Sequence, residues 1–217
     1  YVLHDQVLRA WALGRLAATY GEPAWADKAA RIGDALEARF RGGPADAPRP
    51  VASVSPLGAR DAYDAASCAL LPLAGVAPAL ARDALDHTVR RYLDAGALPP
   101  AFDPVIEPGD AEWPALARYH LHGFRNRPHE YHNGGVWPIW LGWLALALAR
   151  DGRAEALARL RALVGARLAA HPHFAFEEYF HGRTGAPLGT PRMAYTATGL
   201  VFLGEADGAA ARRLLDA

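Results

Sequence analysis

The densest group of polar and aromatic side chains lies at residues 129–138, with the sequence His-Glu-Tyr-His-Asn-Gly-Gly-Val-Trp-Pro. An asparagine before two glycines favours a tight turn, and the final proline suits the first turn of a helix. Tyr131 and Trp137 flank His132 and Asn133, so aromatic faces would lie beside hydrogen-bonding groups. This pairing suits a sugar, whose C–H faces stack on rings while its hydroxyls need polar partners. Alternatively, the tryptophans are core residues and the segment only begins a helix.

A second segment, residues 174–185, places Glu177 and Glu178 between large aromatic residues. An ionised carboxylate in apolar surroundings is costly unless it is paired or used. One of the two glutamates is therefore a candidate general base, which would take a proton from water or substrate. In the alternative interpretation the segment is a surface turn in which one glutamate pairs with Arg183.

Other reaction chemistries find little support. His120 and His122 could place two imidazoles on one face, but zinc would also need a carboxylate such as Glu130, and no recognised ligand spacing is present. No glycine-rich phosphate loop occurs. Cys68 is the only cysteine, so no internal disulfide can form, and its apolar helical surroundings indicate a packing residue. We therefore expect no metal and no cofactor.

The composition narrows the choice of partners. The chain has 217 residues, with 23 Lys+Arg against 23 Asp+Glu, so nothing favours a nucleic acid or an anionic membrane surface. The longest apolar run, residues 136–149, is too short for a membrane span, which needs ~20 residues. No cleavable signal sequence is recognisable. We expect a cytoplasmic protein whose partner is a small molecule.

The elements that must position these segments are helical. Alanine is abundant, and apolar residues recur at helical spacing. The pattern predicts four helix pairs, at residues 3–20 with 24–40, 61–75 with 79–95, 134–150 with 153–170, and 192–204 with 209–215. Within each pair the turn is short, whereas the connections 96–133 and 171–190 are long and aromatic. The sequence thus predicts an all-α fold of successive hairpins, with both long loops adjacent at one end.

Residues 131–138, Tyr-His-Asn-Gly-Gly-Val-Trp-Pro, resemble the Tyr-His-Asn-Gly-Gly-x-Trp-Pro motif of the neutral/alkaline invertases, glycoside hydrolase family 100. Weaker matches accompany it at residues 3–8, at residues 104–107 with Trp113, and at residues 178–189. Similar Trp-Pro and Glu motifs occur in related toroidal glycosidases, among them the glycogen-debranching glucosidases and the processing α-glucosidase and glucosylglycerate hydrolase group. The resemblance runs over nearly the whole chain.

The resemblance implies an (α/α)6 toroid that hydrolyses a glycosidic bond with inversion, using an aspartic acid and a glutamate base. The base falls on Glu178, with Glu177 as the second choice. Trp137 and Tyr131 would form the sugar platform. The groups expected to contact sugar hydroxyls are His132, Asn133, Glu107 and Arg125.

The family's catalytic acid has no counterpart in these residues, because its motif position falls before Tyr1. About eight helices are predicted where the toroid has twelve. We therefore expect residues 1–217 to be a single all-helical catalytic domain that forms the C-terminal part of the toroid. The missing N-terminal part would be a partner within the same protein. Asp5 and Asp61 are the nearby carboxylates, although neither occupies the motif.

The resemblance to the family defines the substrate less closely than it defines the reaction. Residues 196–198 are Thr-Ala-Thr where the family has Gln-Thr-Trp, and His4-Asp5 replaces a family glutamate. Both departures weaken the case for sucrose itself, and the candidate substrates are a sucrose-like disaccharide, an α-glucoside and a debranching-type substrate. Two other functions stay open. One is a sugar epimerase of the same toroid class, using His132 and His181 as acid and base. The other is a helical-repeat module that binds carbohydrate without turnover.

Overall fold

The computed structural model describes residues 1–118 and 123–216. Nine α-helices lie in this part of the chain, and eight of them form four antiparallel pairs. The pairs are α1 (Leu3–Tyr20) with α2 (Pro23–Arg39), α3 (Ala65–Ala74) with α4 (Pro78–Thr88), α6 (Pro138–Arg150) with α7 (Ala154–Ala169), and α8 (Ala194–Glu205) with α9 (Ala209–Asp216). A π-helical turn, Val89–Leu93, extends α4, and the short α5 (Trp113–Ala117) lies in the first long loop.

The pairs stand side by side in two layers. The first helices of the pairs form one layer, in which α1 packs on α3, α3 on α6, and α6 on α8. The second helices form the other layer, where α2 contacts α4 and the π-turn contacts α7. Helices α3 and α6 are covered on several sides, and most of their residues are buried. The predicted all-α arrangement of successive hairpins is confirmed.

Local chemistry explains where the helices begin and end. Helix α1 has the predicted bounds because Gly21 adopts the left-handed conformation, with φ of 65°, and ends it. Helix α3 begins later than predicted, because the Asp64 carboxylate caps it by accepting the backbone N–H groups of Ala66 at 3.0 Å and Ser67 at 3.3 Å. Helix α6 also begins later, at Pro138, since the residues before it pair with another loop.

Short antiparallel ribbons brace the loops of the described chain. They are β1 (Arg41–Gly42) with β2 (Arg49–Pro50), β3 (Ser53–Ser55) with β4 (Gly58–Arg60), β5 (Tyr63–Asp64) with β6 (Phe102–Asp103), and β7 (Tyr179–Phe180) with β8 (Pro187–Leu188). The sequence did not predict them, because segments of two or three residues are too short to show an alternating pattern.

The closest contact between helices joins α6 and α8. Gly142 of α6 lies against the backbone of Gly199, and a Cβ on Gly199 would lie 2.5 Å from Cα of Ile139. The two backbones can approach this closely only because neither residue has a side chain.

Helix α6 is short and deeply buried. None of the helices in the described ranges is both long and apolar enough to span a bilayer.

We predict that Gly199→Ala destabilises the protein. The added methyl group would overlap α6, and such overpacking costs about 1–3 kcal/mol. Gly165 of α7 is the matched control, because a Cβ added there would have no atom within 4 Å. Gly165→Ala should stabilise the protein by about 0.5–1 kcal/mol, through helix propensity alone. Urea unfolding would measure both changes, and equal effects would contradict the close packing of α6 and α8.

Candidate active site

The two long loops meet directly in front of α6. Val136 and Phe180 exchange two backbone hydrogen bonds, each of 2.8 Å, and so form a bridge between the loops. The adjoining rings of Trp137 and Tyr179 stack with their centroids 5.6 Å apart. Within the predicted loops themselves, the Gly182 N–H donates to the carbonyl of His129 at 2.8 Å. The prediction that loops 96–133 and 171–190 lie together at one end of the helix pairs is therefore confirmed.

Glu178 lies beside this bridge and is 8% exposed. Its Oε2 accepts hydrogen bonds from Arg125 Nη1 at 3.0 Å and from the backbone N–H of Thr190 at 3.2 Å. Within residues 1–118 and 123–216, no hydrogen bond reaches Oε1 of the same carboxylate. The alternative in which Glu178 pairs with Arg183 is wrong, because Arg183 contacts His129 and Glu107 instead.

Glu177, the second candidate for the base, points elsewhere. Its Oε2 accepts the backbone N–H of Ala175 at 2.9 Å, within its own loop. Its backbone carbonyl accepts the hydroxyl of Thr196 at 2.9 Å, which ties the loop to helix α8. Its side chain thus stabilises the turn that precedes Glu178.

The aromatic residues form one packed cluster. The rings of Tyr131 and His132 stack at 4.4 Å, and the ring of Trp137 contacts both, at 5.0 and 5.1 Å. Trp137 is only 5% exposed, and its other neighbours include Trp140 at 4.9 Å. Its Nε1 donates to the carbonyl of Tyr131 at 3.1 Å. Tyr131 and His132 are half-buried, so they present the accessible rings, and Trp137 supports them from the core side.

The backbone under these rings is strained. Tyr131 has φ of 48° and His129 has φ of 65°, values that are unusual for residues with side chains. The carbonyl of Tyr131 accepts the N–H of Gly135 at 3.0 Å, and a Cβ on Gly135 would overlap that carbonyl. Strain of this kind persists where the surrounding structure fixes it, and it is frequent at functional sites.

Arg125 joins the carboxylate to the aromatic cluster. Its guanidinium carbon lies 5.8 Å from the centroid of Tyr131, while its Nη1 bonds to Glu178. The guanidinium remains half-exposed. Arg125 is one of the four residues expected to contact sugar hydroxyls. In the structure it is paired with Glu178, the predicted base, 53 residues away along the chain.

Asn133, predicted to contact sugar hydroxyls, is hydrogen-bonded to the backbone of the first long loop. Its Oδ1 accepts the N–H of Ile106 at 2.8 Å, and its Nδ2 donates to the carbonyls of Ile106 at 2.8 Å and Asn126 at 3.2 Å. Both amide hydrogens are thus engaged by backbone. Asn126 in turn accepts the backbone N–H of His132 at 3.1 Å. Asn133 holds the first long loop in shape and has no free donor for a sugar hydroxyl.

Glu107 belongs to a separate polar cluster. It lies 3.6 Å from His129 Nε2 and 3.8 Å from Arg183 Nη2. His181 stacks on His129 at 5.8 Å, and its Nδ1 accepts the backbone N–H groups of Arg183 and Thr184. The structure therefore brings Arg125, Tyr131, His132 and Trp137 to Glu178, and it places Glu107 and His181 with other partners.

A groove of about 450 Å³ opens beside His132, within the usual size range of small-molecule sites. Its wall is mostly apolar, with Asn126 and Asn133 at one side and the Arg60–Glu112 ion pair, of 3.9 Å, at another. The apolar part of the wall includes Phe102, Pro104, Ile106 and Leu116. His132 and Asn133 line this groove, whereas Glu178 and Trp137 do not.

No group of three or more metal-ligating side chains occurs in the portion of the chain described. His120 and His122, the imidazole pair considered for zinc, lie outside the described residues. Cys68 is buried in the core, and burial raises the pKa of its thiol well above the ordinary range. Its environment is that of a packing residue, as the sequence predicts.

Burial lowers the pKa of His132, and the nearby Glu178 carboxylate partly offsets this effect. His132 is therefore neutral at pH 7 and can both donate and accept a hydrogen bond. Burial, followed by the charge of Arg183, also lowers the pKa of His129. Burial raises the pKa of Tyr179, and the charges of Glu130 and Glu178 add to the effect.

We predict that the pKa of His132 lies below the ordinary histidine value of about 6.5. Glu178→Gln should lower the titration midpoint further, because it removes the negative charge that favours the imidazolium ion. Resolved imidazole resonances in an NMR pH titration would measure both shifts. Glu155→Gln, which changes an exposed carboxylate on α7, is the control and should leave the midpoint unchanged. An unchanged midpoint in Glu178→Gln would contradict the proximity of the two side chains.

The sequence and the fold of this chain are similar to those of known glycoside hydrolases. The profile of the family described as alkaline and neutral invertase matches residues 110–204, which contain Arg125, the aromatic cluster and Glu178. A glucosylglycerate hydrolase from Mycolicibacterium hassiacum is 43% identical over 76 residues, or 35% of this chain and 16% of that protein.

The fold is similar to that of a mannosylglycerate hydrolase of family GH63 from Thermus thermophilus, solved with glucose. The TM-score is 0.62 at 20% identity, over 93% of this chain and 47% of that one. A second structure of that hydrolase, solved with Tris, gives a TM-score of 0.57 at 20% identity, over 93% of this chain and 44% of that one. The chain thus spans about half the length of these structures. Its resemblance to the invertase-like, toroidal glycoside hydrolases is confirmed.

Proposed function

We propose that the protein containing this chain is an inverting glycoside hydrolase that acts on a small α-linked sugar, with Glu178 as its general base. The observation that carries the proposal is the state of the Glu178 carboxylate. It is nearly buried, one oxygen is fixed by two donors, and the other has no hydrogen bond to the described residues. Half-buried Tyr131 and His132 lie beside it and suit a sugar ring.

In this mechanism Glu178 removes a proton from water as the water oxygen bonds to the anomeric carbon. The bond from that carbon to the glycosidic oxygen breaks, and a carboxylic acid on the opposite side protonates the leaving oxygen. A water molecule fits between base and sugar when the two carboxyl groups are ~6.5–9.5 Å apart. Neutral His132 would donate to or accept from a sugar hydroxyl, and the accessible parts of the His132 and Tyr131 rings would contact the sugar ring.

The acid should come from outside these 217 residues. Asp5 and Asp61, the candidates within the chain, have other contacts: Asp5 lies 3.5 Å from His4, and Asp61 pairs with Arg49 at 2.6 Å. The chain also covers only 47% of the mannosylglycerate hydrolase it resembles, which leaves room for further catalytic groups in a longer protein.

For the substrate we favour an α-hexoside with a small aglycone, of the glucosylglycerate kind, over sucrose. The similarity to a glucosylglycerate hydrolase is 43% identity in the matched segment. Thr-Ala-Thr at residues 196–198, in place of the Gln-Thr-Trp of the invertases, also argues against sucrose.

Hydrolysis by the whole protein should be measured on a panel containing glucosylglycerate, mannosylglycerate, sucrose and maltose. We expect release of the hexose from one or more of them. Proton NMR in the first minutes should show the β-anomer from an α-linked substrate, since inversion changes the configuration. Initial release of the α-anomer would contradict inversion. Interconversion of free sugars without hydrolysis would favour the epimerase.

We predict that Glu178→Gln in the whole protein lowers kcat by at least ~10²-fold and leaves KM nearly unchanged. Glutamine keeps the size of the side chain, but it cannot take a proton from water, so the loss is confined to the transition state. Steady-state kinetics on the best substrate would measure the change.

Glu177→Gln is the matched control, with the same chemical change one residue away. The glutamine oxygen can still accept the N–H of Ala175, so kcat should fall by no more than a few-fold. If Glu177→Gln removes activity and Glu178→Gln does not, Glu177 is the base. If neither variant loses activity, this mechanism is wrong.

We also predict that residues 1–217 produced alone hydrolyse these sugars no faster than background. Protonation of the leaving oxygen is worth ~10²–10⁴-fold, and this part of the machinery would be missing. Activity of the fragment and the whole protein should be compared at equal molar concentration. Full activity of the fragment would place the acid among its own carboxylates, with Asp5 and Asp61 as the residues to substitute first.

A further inference from the structure

The two oxygens of the Glu178 carboxylate are not equivalent. Oε2 receives a charged donor, Arg125 Nη1, at 3.0 Å and a neutral one, the Thr190 N–H, at 3.2 Å. Oε1 has no hydrogen bond within the described ranges. A carboxylate oxygen with two donors is a poorer proton acceptor than its unbonded partner, because each donor withdraws electron density from it.

The Thr190 donor is placed by the glycine before it. Gly189 has φ of 84°, a conformation that a residue with a side chain rarely adopts. A Cβ at this position would also lie 2.6 Å from Cβ of Glu178 and 2.7 Å from its Oε2. The segment can therefore lie against the carboxylate only while residue 189 has no side chain.

The second donor, Arg125, belongs to the other long loop. Its guanidinium lies over the ring of Tyr131, and its central carbon is 5.8 Å from the ring centroid. Tyr131 itself packs on Trp137, and the residue before Trp137 is Val136, which is bridged to Phe180 in the Glu178 loop. The two donors thus approach Oε2 from two separate parts of the chain.

We propose that Arg125 and the Gly189–Thr190 backbone act together as a clamp that holds Oε2 and directs Oε1 toward the attacking water. Oε1 is then the atom that receives the proton. Arg125 is a positioning residue in this scheme and not the hydroxyl contact that the sequence suggested. The inference rests on the proposed hydrolase function, because it assigns the geometry of its base.

Two variants of the whole protein, each with a matched control, test the clamp kinetically. Arg125→Ala and Gly189→Ala should each lower kcat by about 10–10²-fold, as expected for a displaced catalytic group, with KM changed less than about threefold. Millimolar guanidinium should restore part of the activity of Arg125→Ala only.

The controls match each change. Gly96→Ala introduces the same methyl group at a similar φ of 70°, where no atom lies within 4 Å of the added carbon. Arg159→Ala removes an arginine that pairs with Asp94 away from the site. Both controls should keep kcat within about twofold of the parent protein. Circular dichroism and unfolding midpoints would show whether Gly189→Ala and Gly96→Ala fold alike.

The outcomes separate the clamp from the hydrolase proposal. A raised KM with unchanged kcat in Arg125→Ala would make Arg125 a substrate contact and overturn the clamp. Equal kinetics for Gly189→Ala and Gly96→Ala would overturn it as well. In either case a large loss in Glu178→Gln would leave the hydrolase proposal standing.

If the whole protein hydrolyses no sugar, the hydrolase proposal fails and the clamp is judged by NMR. The Thr190 amide resonance should shift in Glu178→Ala, because this change removes the acceptor of its N–H. It should stay near the parent position in Glu178→Gln, whose amide oxygen can still accept the hydrogen bond. An unchanged Thr190 resonance in Glu178→Ala would overturn the clamp without reference to turnover.

Discussion

The site depends on the backbone hydrogen bonds that join the two long loops, of which the pair between Val136 and Phe180 lies nearest to α6. This pair connects residues that are more than forty positions apart in the sequence. Trp137 follows one side of the bridge and Glu178 precedes the other, so the bridge sets the aromatic rings and the carboxylate in register, together with the hydrogen bond of 2.8 Å from the Gly182 N–H to the His129 carbonyl. The bridge between Val136 and Phe180 needs no particular side chain at either residue, because the backbone alone provides its donors and acceptors.

The helices supply a rigid base for this bridge. Pro138 begins α6 immediately after Trp137, and α8 packs against α6 through the facing glycines Gly142 and Gly199. Thr196, near the start of α8, donates to the backbone carbonyl of Glu177. Both long loops are thus attached to helices that cannot slide past each other without losing this close packing.

The sequence predicted what is encoded locally. The hairpin order follows from helical periodicity and from stop residues such as Gly21, and the motif around Glu178 predicted this residue as the base. Contacts between distant residues were missed. Asn133 appeared free for a ligand, but its amide partners begin at Ile106, 27 positions earlier. Arg125 was predicted to contact sugar hydroxyls, but its pairing with Glu178 in the other loop was not predicted. Residues 134–137 were predicted to start a helix because a two-residue bridge leaves no periodic signal.

The division of the molecule into two ends has an evolutionary consequence. Exposed turns that contain Gly21, Gly75 and Gly152 close the hairpins at one end, and the residues around Glu178 all lie at the other. Mutations that lengthen or alter the long loops can therefore leave the turns and the helix packing intact, and stabilising mutations can accumulate at the turns without changing the residues around Glu178. Such separation allows the loops to diverge on an unchanged framework.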